Sequence, residues 1–336
     1  MRVDWRGEIS PECGVVLPSL DPRATISRRG FLFGLGSLGV IAGSALAGRR
    51  ALTARGGGTA VLVQPEQAAP FTFLSTDTIA QAGAFSLHLH SYYADSAVAT
   101  FNGWQFPLVA DGAYLVAIIG AGQPVDSEIE IDPGSYNVHV DASSSGLGSY
   151  SYDLPVTVTP TAFPVDQIVL PPGLNSLLDP GVVAQELAAL RATYLPASTP
   201  PLWHGLLVQP IQGEITTQFG QARSYNGGPV SGHHSGVDIA APAGTPVPVA
   251  APGQVAFAGP LAERGNFVAV AHGLGMYTGY AHLSAIRVSL GDALSTGDNI
   301  GLVGTTGLST GPHLHWECAV GGIHVDALRW TREVLP

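Results

Sequence analysis

Three short segments of this 336-residue chain concentrate side chains that bind metals or move protons. They are His234-Ser235-Gly236-Val237-Asp238, the lone His282 within Tyr280-Ala281-His282-Leu283-Ser284, and His313-Leu314-His315. In an extended strand, side chains two and four positions apart share a face. On that spacing His234 and Asp238 project together, with Gly236 between them leaving room for an ion. His313 and His315 likewise point to one side. If these strands are neighbours, four imidazoles and a carboxylate converge. Two neutral imidazoles and one carboxylate, with an open fourth position for water, make a catalytic zinc site.

Either pair alone is a cheap signal. His88-Leu89-His90 has the same spacing and no acidic partner nearby, and histidines are often satisfied structural residues. The conjunction of both pairs, in this order and with Gly311-Pro312 just before the second, is far more specific.

These side chains need short strands to hold them, and the composition supplies them. The chain has 43 Gly and 26 Pro, is 46% hydrophobic and only 12% charged. So many turn-formers beside Val, Ile, Thr and Tyr favour strands over long helices. From about Val61 to Thr159, alternating runs such as Phe85–His90, Ala113–Ile119 and Tyr136–Val140 alternate with turns, suggesting a small β-sandwich. A helix should then start at Asp179-Pro180, with Val182, Val183, Leu187, Leu190 and Tyr194 at helical spacing, and end before Pro196. A stiff Pro-rich stretch to Pro201 follows. From Leu206 to about Leu328 the Gly-punctuated strand pattern returns.

The segment from about Gln218 to Arg329 resembles the catalytic domain of lysostaphin/LytM-type peptidoglycan endopeptidases. The likeness runs through His234–Pro242, Tyr280–Ser284, Gly291-Asp292, Gly297-Asp298 and Ile300-Gly301 to Thr310–Glu317. It implies zinc as cofactor, with His234, Asp238 and His315 as ligands and His313 and His282 as the two unliganded catalytic histidines. His233 has no counterpart in that motif, and strand alternation turns it away from the metal. Tyr225 and Asn226, in the loop before the ligand segment, are candidates to line the cleft. His272 and His324 are read as structural or surface residues. In the first half, Phe101-Asn102-Gly103-Trp104, Phe106-Pro107-Leu108 and Ala113–Ala117 resemble the Ig-like domain that precedes some peptidases of this family. Trp104 is there either a core residue or a wall-stacking one.

The expected architecture is therefore mostly β: an export signal over 1–47, a flexible linker over 48–60, an Ig-like β-sandwich over 61–160, a helical and Pro-rich connector over 161–205, and a zinc endopeptidase domain over 206–332. Ser27-Arg28-Arg29-Gly30-Phe31-Leu32, an uncharged stretch to Gly48 and Ala45-Leu46-Ala47 resemble a twin-arginine signal. An uncleaved anchor is the other reading of the same stretch, and either places the protein outside the cytoplasm. The net charge is −11, every cation is Arg, and none lies between Arg55 and Arg191. Such a stretch cannot release counterions from a phosphate backbone, which argues against nucleic acid as partner. Cys318 is expected as a small buried hydrophobe.

The implied reaction is metal-assisted amide hydrolysis of the peptide part of bacterial cell wall, with the stem-peptide cross-link favoured over a glycine bridge. No His-Glu-x-x-His helix supplies a glutamate base. His313 is assigned the water proton and His282 the oxyanion, roles the sequence leaves exchangeable. The competing reading is a catalytically silent relative that binds wall or activates another hydrolase.

Overall fold

The computed structural model describes residues 71–124, 131–194 and 199–334. The export signal, the 48–60 linker and the expected helix stop at Pro196 lie outside them. None of the described helices is long and apolar enough to cross a membrane.

The first module is two facing sheets. One runs in the order Thr72–Leu74, Gly83–His90, Tyr114–Ala121, Val109–Asp111; the other Thr78–Ala80, Gly148–Thr159, Gly134–Ser144, Ser96–Phe101, Trp104–Pro107. Pairing is antiparallel except between Thr78–Ala80 and Gly148–Thr159. Alternation sets the core: Val138, Val140 and Ala142 are buried while Asn137, His139 and Asp141 are not. Phe85 and Phe101, from opposite sheets, meet edge to face at 5.5 Å.

The connector is docked rather than free. Val165–Ile168 pairs in parallel with Ala222–Tyr225, adding a strand to the second module. The expected helix spans Pro180–Thr193, and the Asp179 side chain accepts from the Gly181 N–H at its start. Its Leu190, with Tyr194, packs against Phe267, Ala269 and Tyr277. The Pro-rich stretch lies along the strand Gly265–Gly273: Leu202 N–H donates to His272 O at 2.7 Å and Leu274 N–H to Thr199 O at 3.0 Å. A side chain at Gly273 would strike the Pro200 carbonyl, so glycine is what lets the two backbones touch.

In the second module one long sheet carries the chemistry. Its order is Ile215–Thr217, Gly236–Ala240, His313–Val320, Met276–Leu283, Gly265–Gly273, Gly253–Leu261, Ala293–Leu294. The central His313–Val320 and Met276–Leu283 strands read as continuous burial because both faces are covered. Leu314, Trp316, Cys318 and Tyr280 are fully buried there, so Cys318 is the expected core residue. Ile323–Val325 hydrogen-bonds to His313–Val320 and also to Gln123–Pro124, so the first module joins the same sheet. Trp104 serves this junction. Its ring lies against Gly322, where any Cβ would come within 2.9 Å, and the Arg191 guanidinium stands 5.9 Å from its centroid.

Candidate metal centre and its surroundings

Register brings the three sequence segments together. Asp238 pairs directly with His315, and Ala281 pairs with His315 from the other side, which sets His282 next to both. His234 is not on the Gly236–Ala240 strand, as simple alternation suggested. It sits in a two-residue link after the Val230–His233 strand, and its Nδ1–H donates to Gln218 O at 3.0 Å. The bend still turns its Nε2 onto Asp238. Gly236 also has a different job from the expected one: a Cβ would fall 2.5 Å from Trp316 O and 2.9 Å from His315 Nε2, so glycine makes room for the neighbouring strand, not for an ion.

His234, Asp238 and His315 each offer one ligand atom, all within 4.8 Å of one another. Asp238 Oδ1 lies 3.0 Å from His234 Nε2 and 2.9 Å from His315 Nδ1. The two imidazole nitrogens are 2.8 Å apart. Two nitrogens and a carboxylate oxygen turned inward on one point are a donor set that suits zinc. The atoms behind them are spoken for, as metal-ligating histidines require. His315 Nε2 meets Glu317 Oε2 at 3.2 Å, just as His234 Nδ1 meets Gln218.

Charge within this group is uneven. Burial draws the His234 imidazole down to about 4, with Asp238 opposing, so the ring is neutral and its Nε2 carries a lone pair. For Asp238 burial acts upward, but His234 and His315 outweigh it and hold the carboxyl well below its usual range. His315 is raised: burial lowers it, and the bonds to Asp238 and Glu317 overcome that.

The other two histidines stand beside the set without closing it. His282 Nδ1–H donates to Thr306 O and His313 Nδ1–H to Gly311 O, each at 2.8 Å. Both rings therefore leave Nε2 unprotonated when neutral. His313 Nε2 is 3.6 Å from Asp238 Oδ1. Burial and the neighbouring His313 hold His282 well below its ordinary range. Its backbone φ of +61° is unusual for a non-glycine residue, the sort of local strain that clusters at functional sites.

A cavity of about 550 Å³ opens on this group, with His282, His315, Arg223, Tyr225 and His233 among its lining residues. Tyr225 is thus where it was expected. Asn226 is not: its Oδ1 accepts from Leu170 N–H at 2.9 Å and its Nδ2 donates to Asn175 Oδ1, anchoring the connector. His233 packs edge-on against Phe163. His272 and His324 are fully inside, not at the surface. His88 stacks on Phe73 at 4.6 Å and belongs to no metal-binding group among the described residues.

Sequence reasoning missed the buried ion cluster below the site. Arg264 contacts Glu317 Oε2 at 2.9 Å and Glu186 Oε1 at 3.0 Å, and Tyr194 O–H donates to Glu317 Oε1 at 2.7 Å. Glu186 also accepts from the backbone N–H groups of Glu263 and Arg264. Helix and peptidase module are thereby tied to the carboxylate that orients His315. The available signal was Glu186 lying on the helix face of Val183, Leu187, Leu190 and Tyr194, where a charge is out of place unless paired.

Residues 232–327 match peptidase family M23. The DD-carboxypeptidase/endopeptidase Mpg of Neisseria meningitidis is 48% identical over 93 residues, 28% of this chain and 21% of that protein. The peptidoglycan DD-endopeptidase ShyA of Vibrio cholerae is 45% identical over 96 residues, 29% of this chain and 22% of that one. The chain thus matches about a fifth of the length of these curated relatives. A crystal structure from Pseudomonas aeruginosa, solved as a candidate M23 peptidase, superimposes with a TM-score of 0.52 at 25% identity, covering 75% of this chain and 94% of that one. Residues 232–327, which carry His234, Asp238, His282, His313 and His315, are thus a peptidase family M23 domain within this chain.

Proposed function

We propose that this chain is an exported zinc endopeptidase that hydrolyses a peptide bond in the cross-linked peptide of peptidoglycan. One observation carries the reading. Three ligand atoms converge within 4.8 Å, while two further histidines face the same space without completing the set. A structural zinc site is closed by four protein ligands; a catalytic one keeps a position open. That contrast also disfavours the silent wall-binding alternative. The names of the relatives above support peptidoglycan as substrate and endopeptidase as the activity; the cross-link as the bond is our own reading.

Zinc held by His234 Nε2, Asp238 Oδ1 and His315 Nδ1 would polarise the scissile carbonyl and bring the pKa of a bound water to about 7. The chain's own groups then move the protons. His313 Nε2, beside Asp238 and with Nδ1–H fixed on Gly311 O, is placed to accept the proton of the attacking water and pass it to the leaving amine. His282, its ring 4.7 Å from that of His313 and its Nδ1–H held by Thr306 O, is the second candidate to accept the proton of the attacking water, and it stabilises the oxyanion only once its own Nε2 carries a proton. Both rings are locked by backbone carbonyls, so neither must reorient during the reaction. Glu317 keeps His315 in the tautomer that presents Nδ1. Export rests on the paired arginines Arg28-Arg29 and the uncharged stretch after them.

Digestion of purified peptidoglycan by the full chain, with fragments identified by mass spectrometry, tests the proposal. New peptide termini that vanish on chelation and return with zinc support it. Intact wall in the presence of bound zinc refutes it.

A further inference from the structure

His315 can present Nδ1 to a metal only while its Nε2 carries the proton. That N–H faces Glu317 Oε2 at 3.2 Å, with Ser235 Oγ 3.5 Å away. The aim of the ring therefore depends on where the Glu317 carboxylate is kept. Glu317 is fully buried, so neighbouring donors and not solvent set its position. Arg264 Nη2 and Nε meet Oε2 at 2.9 and 3.0 Å, and Nε also reaches Oε1 at 3.2 Å. Tyr194 O–H donates to Oε1 at 2.7 Å. Ser235 Oγ and His324 Nε2 stand further off, at 3.4 and 3.7 Å.

Two of these supports trace to the connector helix. Tyr194 caps its C-terminus, and Glu186 within it accepts from Arg264 Nη1 at 3.0 Å and from the Arg264 backbone N–H at 3.2 Å. Both side chains are buried, and neither lies in residues 232–327. Packing does not account for them. A phenylalanine ring would fill the place of Tyr194 among Phe267, Ala269 and Tyr277 without burying a hydroxyl. A buried ion pair adds little stability over apolar residues of the same volume. What such a satisfied polar network does supply is a fixed geometry.

We propose that Tyr194 and Glu186 are positioning residues for His315, so that the connector helix completes a metal site whose ligands all lie in the peptidase segment. The proposal rests on the zinc reading above and extends it to residues outside the matched segment. Tyr194 anchors Oε1 of Glu317 and leaves Oε2 facing His315. Without that anchor the carboxylate turns to pair with the Arg264 fork, and Oε2 leaves the ring. Glu186 takes up part of the Arg264 charge. Without it the guanidinium bears on Glu317 alone and weakens its hold on the His315 proton, which makes the ligand less basic.

Two readings on the full chain test this: the zinc dissociation constant, by competition with a chromophoric chelator, and the Nε2–H proton resonance of His315 in the zinc-loaded protein. Removing an outer partner of a ligating histidine costs about 10–100-fold in metal affinity. Tyr194→Phe loosens that partner without removing it, so a loss of about tenfold is expected, with the resonance moved upfield as its hydrogen bond weakens. Glu186→Gln should behave alike, and Tyr194→Phe suffices if the glutamine variant misfolds. Leu190→Ala is the control, since it deletes packing on the same helix without touching a polar group of the cluster. It should lower the melting temperature, leave zinc affinity within about twofold and leave the resonance in place. Leu187→Ala replaces it if it does not fold. Wild-type zinc affinity in Tyr194→Phe, an unmoved resonance, or an equal loss in the packing control overturns the proposal. A wild-type chain that binds no zinc overturns the zinc reading and this proposal together. Hydrolysis is not read, so a chain that holds zinc but cuts no wall and a helix that does not support the ligand give separate results.

Discussion

His282 and His313 face each other with ring centroids 4.7 Å apart, and each donates its Nδ1–H to a backbone carbonyl, Thr306 O and Gly311 O. Neither belongs to the group of potential metal ligands, yet His313 Nε2 stands 3.6 Å from Asp238 Oδ1 and the His282 ring centroid 5.8 Å from that of His315. The pair is thus arranged for proton traffic, and the ligand group for holding an ion.

That division predicts a separation by mutation. His313→Ala should keep zinc at wild-type stoichiometry while losing about 10²–10⁴-fold in turnover, the usual worth of a positioned acid–base group. Metal analysis alongside peptide release checks both halves. Normal turnover in this variant would sink the assigned role.

Asp238→Ala should lose zinc and activity together, since two imidazoles alone leave the donor set incomplete. Equilibrium dialysis against zinc reads the first loss directly. Retention of tight binding would mean that the metal sits elsewhere.

Glu186→Ala is predicted to destabilise the fold although Glu186 lies outside the peptidase segment. It removes one of the two carboxylates around buried Arg264 and exposes unpaired N–H groups of Glu263 and Arg264. Breaking a buried pair from one side costs about 3–5 kcal/mol, to be read from the midpoint of urea unfolding. A shift within error would show that the helix is not coupled to the cluster.

Gly236→Ala should perturb the ligand strand more than an ordinary surface change. Its Cβ meets Trp316 O at 2.5 Å and His315 Nε2 at 2.9 Å, so the two strands must part or the His315 ring must turn. Weaker zinc binding with a lowered melting temperature is expected. Unchanged zinc affinity would contradict the tight fit.

Acid should weaken the fold through His272, away from the metal group. Burial depresses its folded pKa to about 4 from the ordinary 6.5, and Nδ1 and Nε2 bond to Pro252 O and Thr278 Oγ1. The unfolded chain therefore binds the extra proton first. Stability from this residue is complete above about pH 6.5 and lost as pH falls through the window down to about 4, on the order of 3 kcal/mol in all. His272→Gln should flatten that part of the stability–pH curve.

Much of this was legible in the sequence, for identifiable reasons. His313 and His315 share a face because strand alternation holds there, and the helix start at Asp179-Pro180 follows from cap chemistry. Alternation failed at His234, which lies in a bend between strands, a break no period announces. Gly236 was read as space for an ion because the approach of Trp316 is visible only once the strands pair. The connector was expected only as a helix and a stiff Pro-rich stretch, because Pro-rich composition says nothing about docking. Its contacts with Ala222–Tyr225 and with the Gly265–Gly273 strand join residues far apart in the chain. Glu186 stood out on its apolar helix face, but the pair was missed because its partner Arg264 lies 78 positions away and nothing in the sequence names it.

The most direct test of the account is a zinc titration of the metal-stripped full chain, reading bound zinc and peptide release from purified peptidoglycan in the same samples. The account predicts saturation at one zinc per chain, hydrolysis rising in step with it, and neither in a His234→Ala, His315→Ala double variant. Zinc bound equally by that variant, or saturation without any peptide released, would contradict it.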